Sequence, residues 1–154
     1  MSERRERRFS WIEVLLLAAI VAMVTLVAVP GVLISRRSVN ESEAVGALRT
    51  LNTVEGSYHN RHPAGGFSCS LDELYKEGLI DATIAAGTRS GYRLSAAGCR
   101  SDSTKSNVVT EYQWFADPVN QETGTRHFCT DQSKVVRGSD QRAGQDCLVF
   151  GSEL

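Results

Sequence analysis

Residues 14–35 carry no charge, and apolar side chains dominate the run from Val14 to Ile34 without a polar stripe. At about 1.5 Å of rise per residue, a helix of this length covers roughly 30 Å, one hydrocarbon core. The pattern predicts a transmembrane helix over 9–34. It then changes character. Val45, Leu48, Leu51, Val54 and Tyr58 step by three or four, with Ala44 and Ala47 beside them, whereas Arg49, Asn52, Glu55 and Asn60 fall mostly elsewhere. This period predicts an amphipathic helix over 35–61 that continues the first. Unbroken, the two would run on the order of 75–80 Å.

His62-Pro63-Ala64-Gly65-Gly66 breaks the helical pattern. Ser70 and Glu73 are spaced as a capping box and predict a short helix over 71–77. Residues 79–86 read as a further helical turn. Short β-branched and aromatic runs, bounded by Gly, Pro, Asp, Asn or Ser, predict strands over 92–96, 111–116, 126–130 and 134–137. An antiparallel meander whose apolar face covers the amphipathic helix satisfies all of these elements. The expected fold class is α+β, a long N-terminal helix on a small antiparallel sheet. Residues 62–154 form its globular part, and 138–154 read as a tail pinned back by Cys147.

A chain of 154 residues with a formal charge of −1 fits one anchored domain and argues against nucleic acid held by bulk electrostatics. Residues 1–8, MSERRERR, form a basic leader that stays on the cytoplasmic side, so the remainder faces out. The apolar run is longer than a secretory signal's core, and no small-x-small site precedes Pro30. Cys69, Cys99, Cys129 and Cys147 include no C-x-x-C pair, and an even number outside the membrane points to two disulfides. Three pairings are possible. In a meander, strands one and three lie roughly 10 Å apart, which disfavours Cys99–Cys129. Of the rest, the favoured set is Cys69–Cys99, tying the capped helix to strand one, with Cys129–Cys147, pinning the tail.

Phe9-Ser-Trp-Ile-Glu13-Val opening an apolar helix, with Pro30 farther along it, resembles the N-terminus of type IV pilins and type II secretion pseudopilins. That family's motif is Gly, then Phe-Thr-Leu-Ile-Glu-Leu and an apolar run ending Ile-Pro. Phe9, Ile12, Glu13 and Pro30 match, Ser10 replaces Thr, Trp11 stands for Leu, and Arg8 stands for the Gly before the cleaved bond. The resemblance implies a pilin-like structural subunit, major or minor, of a pilus or secretion pseudopilus. It also implies cleavage by a prepilin peptidase between Arg8 and Phe9 and methylation of the new amine. Arg8 leaves two routes open, a permissive peptidase or an uncleaved anchored precursor. Assembly through Glu13 and Pro30 would join copies of itself and other pilin-like subunits at an inner-membrane platform. The N-terminus would lie in the cytoplasm and the globular part in the periplasm, with membrane lipid around the anchor.

An ionised Glu13 at the mouth of a membrane helix is costly unless paired. In the family such a carboxylate meets the N-terminal amine of a neighbouring subunit, here that of Phe9. No catalytic constellation or cofactor motif stands beside it. His59 and His62 lack a third nearby ligand, and His127 alternates with Phe128 on a strand as a solvent-facing residue. Asp117, Asn120 and Asp131 could form a loose calcium loop, but read better as turns. Arg126, Arg137 and Arg142 lack the aromatic interleaving of a nucleic-acid surface. The alternative function is a single-pass anchored protein whose outer domain binds a partner without polymerising.

Overall fold

The computed structural model describes residues 10–101, 108–140 and 143–154, with side chains for all of these except 26–33 and 101. Its first element, α1 (Trp11–Arg61), is one helix of 51 residues whose helical backbone passes through Pro30. Contacts divide the chain into two compact units, Met1–Ser35 and Arg36–Leu154. The helical residues 36–61 therefore belong with the globular part. Among the described residues no helix is long and apolar enough to cross a membrane. The predicted span, 9–34, includes Phe9 and the side chains of 26–33, which lie outside them.

The second unit is α+β. After α1 come α2 (Leu71–Lys76) and α3 (Ala82–Ala85), then strands β1 (Thr88–Arg89), β2 (Tyr92–Ser101), β3 (Val109–Pro118), β4 (His127–Asp131) and β5 (Arg137–Ser139). A last short helix, α4 (Gln145–Phe150), leads into β6 (Ser152–Glu153). The six strands are ordered as in sequence and pair antiparallel throughout. Two departures from the sequence expectation concern its end. A tight turn, in which Lys134 N donates to Asp131 O (2.8 Å) and Lys134 takes φ +64°, delays the strand expected over 134–137 until Arg137. The tail expected over 138–154 is pinned by Cys147 as expected, and it also supplies the end of β5, α4 and the closing strand β6.

The helices start where side chains can satisfy exposed amides. Ser70 Oγ accepts from Glu73 N at 3.4 Å and Asp81 Oδ1 from Ile84 N at 2.9 Å. Ser70's own amide donates to Ser68 Oγ (3.0 Å) rather than completing the box with Glu73. The main core joins Ala44, Leu48, Leu51 and Val54 of α1 to Leu74, Ile84, Tyr92, Leu94, Tyr112, Trp114, Phe128 and Val136. Tyr112, Trp114 and Ala116 alternate along β3 toward α1, as a period of two requires. Phe115 therefore points to the other face, where it packs with Cys129, Cys147 and Leu148 in a second, smaller cluster. Gly66 joins the segment after α1 to β3. It takes φ +85°, and a Cβ there would lie 2.0 Å from Val109 O. Only glycine allows this approach.

Candidate functional site

In the first unit, every described side chain from Ser10 to Thr25 is exposed. Trp11 is 83% exposed, and Ile12, Leu15, Leu16, Leu17, Ile20, Val21, Met23 and Val24 all stand more than half open. At 100° per residue these positions surround the helix. A helix apolar on every side has no stable place in water and needs lipid or other protein around it. The second unit contrasts with this: its helical residues 36–61 bury one stripe on their own sheet.

Glu13 has a local partner. Ser10 N donates to Glu13 Oε2 at 3.1 Å, and Ile12 N donates to Ser10 Oγ at 3.4 Å. Glu13 thus reaches back to the N-cap amide as in a capping box, while Ser10 Oγ takes the amide of Ile12 rather than that of Glu13, and together they cap the start of α1. Ser10, expected only as the replacement for the family's Thr, has a capping role that its spacing to Glu13, equal to that of Ser70 and Glu73, could have signalled. Arg8 and Phe9, the expected cleavage and methylation positions, lie outside the described residues. Pro30 sits within α1, and its side chain is outside them too.

In the second unit, two residues expected off the apolar face are buried within it. Glu55 is fully covered, accepting from Ser68 N (2.9 Å), Cys69 N (3.1 Å) and Trp114 Nε1 (3.1 Å). Burial raises its pKa above the ordinary carboxyl value, although these three bonds pull the other way. Asn52 donates to Thr130 Oγ1 (2.9 Å) and Lys134 O (3.2 Å), and its Oδ1 accepts from Tyr112 Oη at 3.2 Å. Burial likewise raises the Tyr112 phenol. These networks fix the helix on the sheet. They are closed to solvent and offer no reactive group.

The cysteines form two disulfides, Cys69–Cys99 and Cys129–Cys147, with Cα separations of 6.2 and 6.0 Å. His127, expected to face solvent, is half-buried with Nδ1 2.7 Å from Asp117 Oδ1. The loose calcium loop does not assemble. Asp117 is engaged by His127, Asn120 Oδ1 caps its own turn through Glu122 N and Thr123 N, and Asp131 lies across from Gln113 at the far end of the β3–β4 ladder. Arg126 pairs with Asp140 at 3.0 Å, and Arg137 lies 3.9 Å from Asp131 and 3.6 Å from Glu153. Arg142 lies outside the described residues. His62 lies 3.5 Å from Glu77, and His59 stacks near Phe67. Among the described residues no group of three or more His, Cys, Asp or Glu side chains is placed to hold a metal. Comparison with family models, curated proteins and solved structures finds no match to this chain.

Proposed function

We propose that this chain is a pilin-like structural subunit, anchored through its N-terminal helix and assembling through it with copies of itself and related subunits. The observation that carries this reading is the apolar surface all round residues 14–25, joined to a second unit with its own closed core. The Phe9, Ile12, Glu13 and Pro30 spacing supports a type IV pilus or type II secretion pseudopilus. The basic leader supports an inner-membrane placement with the second unit outside. In this reading the Phe9 amine, once freed by a prepilin peptidase, pairs with Glu13 of a neighbour and sets the stagger between helices.

A second reading, an anchored protein that does not polymerise, draws on the bond from Ser10 N to Glu13. A carboxylate with a structural task in its own helix needs no neighbour to explain it. Glu13→Gln separates the two, because Gln also serves as the reaching acceptor of a capping box but carries no charge. The assay is filament shearing beside intact-mass analysis of membrane-extracted protein. For the subunit reading, Glu13→Gln inserts normally yet yields few filaments, and Arg8→Gly raises both removal of residues 1–8 and filament yield. Normal assembly of Glu13→Gln would leave capping as the only role of Glu13, whereas a wild type that yields no filaments would put the anchored-domain reading in place of the subunit.

A further inference from the structure

The arm formed by α4, β6 and Leu154 rests on the sheet with little of its own surface buried. Cys147 is its only fully buried residue; Leu148 and Gly151 are half-covered, and every other arm residue is exposed. Its polar ties include the two-residue ladder of β6 with β5, Ser152 Oγ to Gly138 O (3.2 Å), the Arg137–Glu153 ion pair and, just before β5, Leu154 N to Val136 O (3.0 Å). Beneath it lie Phe115 and Cys129, opposite each other in the β3–β4 register. By contrast, the loop carrying Cys69 has strong non-covalent ties. Glu55 accepts two of its amides, and Phe67 N to Val109 O (3.0 Å) and Val109 N to Gly65 O (2.9 Å) stitch it to β3.

We propose that the Cys129–Cys147 disulfide is a maturation latch: the arm docks on the sheet only once these thiols are oxidised, and the docked arm then seals the sulfurs. Closure is thiol–disulfide exchange with a disulfide-bearing co-reactant. One thiolate attacks that disulfide, and the second displaces the co-reactant from the mixed disulfide. Two protons leave the cysteines and two electrons pass to the co-reactant, which departs as a dithiol. Afterwards Cys129 and Cys147 are 0% exposed, so a thiolate reaches them only through arm opening. Cys99 stays exposed, and its disulfide remains open to exchange. Until the latch closes, β5 is the free edge of the sheet and Phe115 is uncovered. An open edge of this kind is a template for pairing with another chain, and the docked arm withdraws it. The inference does not depend on filament assembly.

Amide hydrogen exchange on the full chain in detergent micelles tests it. Replacing both Cys129 and Cys147 by Ser should speed exchange at the Leu154 amide on the order of 100-fold, the scale set by opening a short disulfide loop. The amides of Phe67 and Ser68 should keep their protection. Replacing Cys69 and Cys99 should leave Leu154 protected. The wild-type protein held reduced in native buffer gives the same reading without substitutions. In a brief dithiol pulse, Cys69 and Cys99 should be trapped by an alkylating probe before Cys129 and Cys147. Unchanged protection of Leu154, loss of protection spreading through β3 and α1, or the reverse order of trapping would each overturn the latch.

Discussion

Removing the carboxylate of Glu55 tests whether the helix is bolted to the sheet through its buried polar groups. Glu55→Ala strands three donors: the amides of Ser68 and Cys69, half-buried, and the indole of Trp114, which is 1% exposed. Each buried donor left unpaired costs about 1–3 kcal/mol, with half-buried ones at the low end. Relief from burying a carboxylate offsets part of this, so about 3–4 kcal/mol is expected. For a domain of this size that is roughly 12–16 °C in Tm. Glu55→Gln should cost less, about 1–2 kcal/mol, since its oxygen still accepts while its NH2 faces a donor. The pH dependence gives a sharper reading. Burial raises the folded pKa of Glu55, so the folded state holds this proton more tightly than the unfolded chain. The stability from that proton is complete below the ordinary carboxyl value and is lost as pH rises through the raised one. Gln does not titrate. The cost of Glu55→Gln should therefore be largest in acid and shrink as pH rises through that window. Urea unfolding of the full chain in detergent, followed by fluorescence from pH 4 to 8, measures it. A cost that grows with pH would mean that the three hydrogen bonds outweigh burial, and the reasoning would fail.

Asn52→Leu fits the space but leaves Tyr112 Oη without its acceptor and Thr130 with only Val135 O, and should cost about 2–3 kcal/mol in a thermal melt. Gly66→Ala forces a Cβ against Val109 O at φ +85° and should cost about 2–3 kcal/mol, with faster amide exchange at Phe67 and Val109.

The spacing of apolar residues located α1 and the strands because burial on one face imposes the period directly. It also contained Asn52 and Glu55: both lie on the stripe of Leu48, Leu51 and Tyr58 when counted by threes and fours. Their polar identity argued against that place, and it was overridden by partners 13 to 82 residues away in sequence. No local pattern carries such distant partners. The order of strands was legible, because short connections join neighbours, and with it the separation of Cys99 from Cys129 by β3. The end of the chain was legible only as a stretch pinned by Cys147, not as α4 and β6. Residues 138–154 are mostly polar, and α4 has neither a side-chain cap nor more than one buried residue to announce it. Its one buried residue, Cys147, is held by the disulfide to Cys129.

The N-terminal stretch shows how a motif and a local rule can claim the same residue. Ser10 and Glu13 cap the start of α1, and Phe9, Glu13 and Pro30 have the spacing of the proposed pilin-like anchor. These claims are compatible, since a carboxylate has two oxygens and Ser10 N takes only Oε2. Capping alone, however, explains little about where the helix rests. Any of the usual cap acceptors would serve an exposed amide, and a cap is worth about 1 kcal/mol whatever surrounds the next turns. What distinguishes this helix is the residues after the cap: from Val14 to Val24 no face is polar, whereas from 44 to 58 one face is apolar and fills a core. A sequence that keeps so long a surface apolar on all sides, beside a unit that closes its own core, requires a lipid or protein environment for the first part only. That requirement, rather than Glu13 by itself, is what supports the proposed anchored and assembling role.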